Sequence, residues 1–306
     1  MINITGLKLK NPTILAAGIM GTTGASLIRI SKCGAGALVT KSIGISQKEG
    51  HKNPTMIQLE SGGYINAMGL PNPSYHNFKA EIEKVEQNTD TPVIVSIFGG
   101  TASEFVEIAT QLLKNTEKGV IDAFELNVSC PHAEGYGSMI GCDPGAVGTI
   151  TAAVKDVVDV PVWVKLTPNV TDIVPIGRSA QENGADAIVA INTVKGMAID
   201  ISSGYPILGN RFGGLSGPPV KPIAIKCIYD LYAALDIPII GAGGVSCWED
   251  AVEMMMAGAS GVQIGSAVYD DINIFSTVSK GIDQFITEND TYTKIEDIIG
   301  IAHTKL

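Results

Sequence analysis

Eight short apolar runs recur along the chain with helix-like segments between most of them, and no other feature restricts the fold as tightly. The runs cover residues 13–17, 37–40, 93–98, 123–128, 162–166, 187–191, 238–240 and 261–264. Residues 102–114, 146–157, 172–183, 219–235 and 247–256 carry apolar side chains at spacings of three and four, the period of a helix with one buried face. Gly184 and Gly258 stand where such a helix would turn back into the next strand. Eight buried strands alternating with helices over about 250 residues predict a single (β/α)8 TIM barrel rather than an open doubly wound sheet. Residues 2–9 alternate around Gly6 as a short N-terminal β-hairpin would. No linker, charge block or low-complexity tract marks a domain boundary, so residues 1–306 are read as one domain. Residues 46–73 and 195–217 exceed ordinary connections, and in a barrel such extended βα loops build the active-site face.

Charge and cysteine usage exclude several classes of function. A net charge of -10 and a pI near 4.9 argue against nucleic acid and anionic membrane as general partners. No apolar run approaches the roughly 20 residues of a membrane span, and residues 1–11 lack the layout of a signal peptide, so the chain is read as cytoplasmic. Cys33, Cys130, Cys142, Cys227 and Cys247 are odd in number and scattered, with no Cys-x-x-Cys pair. That pattern indicates no disulfide framework, iron–sulfur cluster or zinc site, and any such cluster belongs to another chain. His51, His76, His132 and His303 show no metal-site spacing, so no metal is expected.

Chemistry concentrates at the predicted strand ends, which in a barrel converge on one mouth. The stretch Glu125-Leu-Asn-Val-Ser-Cys-Pro-His132 breaks from a strand, expected to end at about Ser129, into a turn carrying an amide, a hydroxyl, a thiol and an imidazole. A lone cysteine is more often a small packed hydrophobe, but Asn127, Ser129 and His132 are poor neighbours for that role. Lys41-Ser42 follow the second strand, Ser96 and Gly99-Gly100 belong to the third, Lys165 and Asn169 to the fifth, and Asn192-Thr193 follow the sixth. Any one of these lysines alone would be read as solvated or ion-paired. Together they are costly in an apolar setting unless a polar ligand partners them. Gly241-Ala-Gly-Gly244 and Gly265-Ser266 end the last two strands, where turns at helix starts hold a phosphate in barrels. Gly213-Gly-Leu-Ser-Gly217 adds a third flexible loop. A phosphate-bearing small molecule and a second polar ligand are the minimal expectation. No Gly-x-Gly-x-x-Gly fingerprint follows the first strand, which disfavours a pyridine nucleotide in this domain.

Six ordered motifs now carry a resemblance over nearly the whole chain. They are Asn66-Ala-Met-Gly-Leu-Pro-Asn72, Asn127-Val-Ser-Cys-Pro131, Val164-Lys-Leu-Thr-Pro-Asn169, Ile191-Asn-Thr193, Gly213-Gly-Leu-Ser-Gly217 and Gly241-Ala-Gly-Gly244. With them the chain resembles the class 1 dihydroorotate dehydrogenases, closest to the 1B branch. The resemblance implies an FMN-containing barrel that oxidises dihydroorotate to orotate in pyrimidine synthesis. It implies Cys130 as the base removing the C5 proton while the C6 hydride passes to flavin N5, and a loop that closes over the substrate. It places the substrate against Lys41, Asn66, Ala67, Met68, Gly69, Leu70, Asn127, Asn192 and Thr193. It places FMN against Ile19, Lys41, Ser42, Ser96, Asn127, Lys165, Ile191, Gly217, Gly243, Gly244, Gly265 and Ser266, with Lys165 stabilising the anionic reduced ring.

The resemblance further implies a homodimer and, in the 1B branch, a partner subunit with FAD and a [2Fe-2S] cluster that delivers electrons to NAD. A soluble acceptor such as fumarate is equally compatible with the cysteine pattern. His132 stands where the family commonly has Asn and is expected to polarise Cys130, and Ser96 stands where many relatives carry Asn. The alternatives are a dihydropyrimidine dehydrogenase-like reductase of uracil-type rings, a non-redox phosphate-binding barrel such as an aldolase or isomerase, and a catalytically silent flavoprotein subunit.

Overall fold

The computed structural model of the chain describes residues 1–60, 62–117, 119–129 and 140–304. The first elements are the hairpin β1 (Ile2–Ile4) and β2 (Leu7–Leu9), then β3 (Thr13–Leu15), α1 (Gly24–Lys32) and β4 (Ala37–Val39). A short pair, β5 (Met56–Gln58) and β6 (Tyr64–Asn66), precedes α2 (Tyr75–Glu86), β7 (Val93–Ile97), α3 (Ala102–Asn115), β8 (Ala123–Asn127) and α4 (Pro144–Lys155). There follow β9 (Val162–Leu166), α5 (Val174–Glu182), β10 (Ala187–Ala190), β11 (Val194–Gly196), β12 (Ile199–Asp200), β13 (Tyr205–Pro206) and β14 (Gly213–Ser216). The chain closes with α6 (Lys221–Ala234), β15 (Ile239–Ala242), α7 (Trp248–Ala257), β16 (Ala259–Ile264) and α8 (Ile274–Thr287).

Eight parallel strands close into the predicted barrel in the order β3-β4-β7-β8-β9-β10-β15-β16, and the ring is completed by pairing of β16 with β3. Alternation along the strands sorts their side chains into two cores. Leu15, Leu38, Val95, Phe124, Leu126, Val164 and Ile188 face outward against the helices. Ile14, Val39, Ile94, Ala123, Trp163, Val189 and Ile240 face inward, where Ile2, Ile4, Leu7 and Leu9 join them. The hairpin therefore plugs the barrel floor, and the fully buried Trp163 donates its indole N–H to Thr5 Oγ1 at 3.0 Å. Helix starts are fixed locally. Thr23 caps α1, Thr101 caps α3, and Asp143 caps α4 ahead of Pro144.

Three local expectations are corrected. Strand β8 ends at Asn127 rather than near Ser129, because Asn127 Oδ1 accepts from the Ser129 amide and turns the chain early. Residues 213–217 do not form a free loop, since Gly213–Ser216 is strand β14. Its two neighbours are β11 and β6, so the two extended βα loops join in one antiparallel sheet, β11-β14-β6-β5. Gly265 leads into a 3-10 turn, Ser266–Tyr269, and not directly into a helix of full length.

Among the described residues, no helix is long and apolar enough to cross a membrane, and no three His, Cys, Asp or Glu side chains converge as a metal ion would require.

Candidate active site

The strand ends meet around a cavity of about 440 Å³, a size suited to a small-molecule ligand. Its wall includes Ile19, Lys41, Ser42, Asn66, Ala67, Met68, Gly69, Leu70, Asn127, Lys165, Ile191, Asn192 and Thr193. Gly217, Gly243, Gly244, Gly265 and Ser266 line the same space. Ser96 does not. It is fully buried behind Ser42, with the two hydroxyls 2.9 Å apart, and supports Ser42 from behind the cavity wall. Cys130 and His132 lie outside the described residues.

The polar groups form a connected array rather than a scatter. Asn127 Nδ2 donates to Ser42 Oγ at 3.1 Å, and its Oδ1 accepts from Asn192 Nδ2 at 3.3 Å as well as from the Ser129 amide. Asn192 Oδ1 accepts from the Thr193 amide at 2.8 Å. Among the described residues each of these two asparagines keeps one N–H unspent, which makes both of them donors toward a ligand. Asn169 is different. Its amide donates to Thr167 Oγ1 and the Thr193 carbonyl, and its oxygen accepts from the Lys195 amide, so it braces the wall without a free group. The Ala190–Ile191 peptide bond is cis.

Lys41 is the exception to this economy. It is 8% exposed and its ammonium has no hydrogen-bond or ion-pair partner among the described residues, with Nζ beside Gly18. Burial lowers its pKa from the ordinary lysine value. A buried, unpartnered ammonium facing a cavity calls for an anion. Lys165 is equally buried but held from behind, donating to Gln263 Oε1 at 2.7 Å with Glu125 Oε1 at 3.8 Å.

Along the wall beyond β16 and β15, two turns converge where only glycine allows it. Gly217 (φ +89) packs on Gly63, and Gly244 (φ +89) lies so close to Lys221 that a Cβ would come within 2.7 Å of the lysine's own. Ser266 Oγ lies beside Gly217. Strand β14 is restricted in the same way, because a Cβ on Gly214 would strike the Thr193 hydroxyl at 2.1 Å. The start of α7, just past the Gly241–Gly244 turn, carries its own anion. Asp250 accepts from the Ser246 and Cys247 amides and from Lys221 Nζ, leaving the glycine turns and Ser266 to face the cavity.

Sequence reasoning missed Glu125 and Gln263, which a polar residue inside an otherwise apolar strand signals. It also missed the rim formed by Lys48, Lys195 and His51. No carboxylate lines the cavity among the described residues.

Fold and cavity define an α/β-barrel enzyme for a small anionic ligand, bound at the C-terminal ends of its strands. The family profile described as dihydroorotate dehydrogenase matches residues 1–286. The "Dihydroorotate dehydrogenase B (NAD(+)), catalytic subunit" of Methanosarcina mazei is 65% identical over 304 residues, covering 99% of this chain and 95% of that protein. Proteins of the same name from Pyrococcus abyssi and Methanocaldococcus jannaschii are 51% and 50% identical, each covering 98% of this chain and 98% and 97% of their own lengths. The chain belongs to the dihydroorotate dehydrogenase family, in its class 1B branch.

Proposed function

We propose that this chain oxidises dihydroorotate to orotate in pyrimidine synthesis, with FMN held in the mouth cavity and Cys130 as the base. The observation that carries the reading is Lys41, an unpartnered buried ammonium beside the amide donors of Asn127 and Asn192, in a member of this family. The residues present fit FMN. The crossing turns at Gly217 and Gly244, with Ser266 beside them, offer backbone and hydroxyl donors to a phosphate, while Lys165 and Ser42 lie deeper in the same cavity. When bound, FMN accepts the hydride that leaves C6 of the substrate.

The remaining work falls to the protein. Lys41 pairs with the substrate carboxylate, and Asn127 and Asn192 each direct one N–H at the ring carbonyls or the acid group. Asn66, whose amide donates to the Gly214 carbonyl at 3.2 Å, lines the substrate side with residues 67–70. Lys165 presents a fixed positive charge on the cavity wall. Cys130 removes the C5 proton as thiolate, because the thiol itself is a weak base near neutral pH.

Relatives are catalytic subunits by name, so a second subunit is the natural acceptor. We place FAD and a [2Fe-2S] cluster on that partner, NAD beyond it, and a homodimer of this chain in the cytoplasm at the centre of the assembly. The deciding experiment is anaerobic mixing of the yellow protein with dihydroorotate while flavin absorbance is followed. Bleaching is expected, slowed at least about 100-fold by Cys130→Ser. A yellow protein that dihydroorotate leaves unbleached ends the reading.

A further inference from the structure

Beneath the cavity the barrel interior holds a carboxylate that the reaction above leaves without a task. Glu125 is fully buried in β8, facing inward one pleat below Asn127. Its Oε2 accepts from Gln263 Nε2 at 2.6 Å, and Gln263 Oε1 accepts from Lys165 Nζ at 2.7 Å. Glu125 Oε1 lies 3.8 Å from Lys165 Nζ and has no hydrogen-bond partner among the described residues. Both ends of the Gln263 amide are thereby committed, which fixes the lysine's direction.

Stability does not account for this arrangement. A buried ion pair is on average no better than apolar side chains of the same volume, and an unpaired carboxylate oxygen makes it worse. Apolar side chains fill the inward positions below it, at Ala123, Trp163, Val189 and Ile240. The network also opens directly on the site, because Lys165 and Gln263 both line the cavity. The other titratable groups facing that cavity are Lys41 from the end of β4, Lys48 and His51 from the insert after it, Lys195 from β11, Tyr64 from β6 and Tyr269 from the 3-10 turn after β16. None is a carboxylate; Asp270, which accepts from the Tyr64 hydroxyl at 2.8 Å, and Glu125 each stand one side chain behind the wall, and of the two Glu125 is the buried one.

A ring that takes up electrons in this cavity gains negative charge. Lys165 favours that change, and Glu125, fully buried behind it, opposes the same change in a medium that screens charge weakly. We propose that Glu125, acting through Gln263 and Lys165, is a positioning residue that holds down the reduction potential of the bound flavin. Electrons taken from the substrate then pass on readily to a weak oxidant of the nicotinamide class. The inference rests on the flavin reading above and adds a residue with its effect on onward electron transfer.

The test is the midpoint potential of the flavin bound to the purified holoprotein, measured at one pH for two charge variants and one that keeps the charge. Glu125→Gln is expected to raise it, Gln263→Glu to lower it, and Glu125→Asp to leave it near the wild-type value. A tenfold change in the two-electron equilibrium, about 30 mV, is the least shift expected in the first two. A flat series, or a fall in Glu125→Gln, overturns the proposal. Where Glu125→Gln yields no folded flavoprotein, the sign of the Gln263→Glu shift decides alone. Loss of flavin from every variant also overturns it, because the network is then structural. A wild-type chain that binds no flavin fails the earlier reading instead.

Discussion

Lys41 shows how a single residue is held at a cost for a ligand's sake. Its ammonium is buried with no partner among the described residues, which disfavours the folded chain until an anion arrives. Lys41→Met is expected to weaken orotate binding on the order of 10–100-fold while raising the ligand-free stability by about 1–3 kcal/mol. The pH dependence has a definite sign. The folded pKa lies below the unfolded one, so the unfolded chain binds more protons between the two values. Ligand-free stability from this group therefore rises as pH climbs from the folded value to the ordinary lysine value, and Lys41→Met lacks that rise. Denaturant midpoints of both proteins across alkaline pH check it. Lys41 was legible in the sequence because it follows an apolar run at a strand end. Glu125 was marked only as an acid inside an apolar run, and its place in the barrel interior follows once the register is known.

At the scale of elements, the two cofactor-side turns are tied together by one clamp. Lys221, at the start of α6, donates to Asp250 in the first turn of α7 at 2.7 Å, next to Gly244. Burial would raise the Asp250 carboxyl, but hydrogen bonds from Lys221, Ser246 and Cys247 outweigh it and hold the pKa at about 2. A depressed aspartate contributes stability that is complete above its unfolded value and lost as pH falls through the folded one. Asp250→Asn should therefore cost roughly 2 kcal/mol at neutral pH. Urea midpoints should show the deficit shrinking as pH drops from about 4 toward 2. The eight strands and the helices between them could be read from periodicity because each buries its own face. The sheet β11-β14-β6-β5 could not, since its pairing joins residues about 150 positions apart and its central strand is written in glycines that look like a loop.

Over the whole molecule, charge is divided between surface and site. The chain carries -10 overall, yet Lys41, Lys48, Lys165 and Lys195 face one cavity that no carboxylate lines among the described residues. Such a local field draws a small anion through a repelling exterior, and salt weakens it. The double variant Lys48→Gln, Lys195→Gln should slow orotate association several-fold at low ionic strength and flatten its salt dependence. Stopped-flow binding between 20 and 300 mM salt, on the order of Debye lengths from 20 Å down to 6 Å, would show it. An unchanged slope would mean that the rim lysines take no part in capture. The shared sheet has a last consequence at this scale. Asn66 on the substrate side and Gly214 beside Thr193 pair in one ladder, so the two walls of the mouth are not interchangeable parts. A graft that replaced either long loop with one from another barrel would strand the opposite wall without its hydrogen-bonding edge, and new specificity here has to be built by changing both at once.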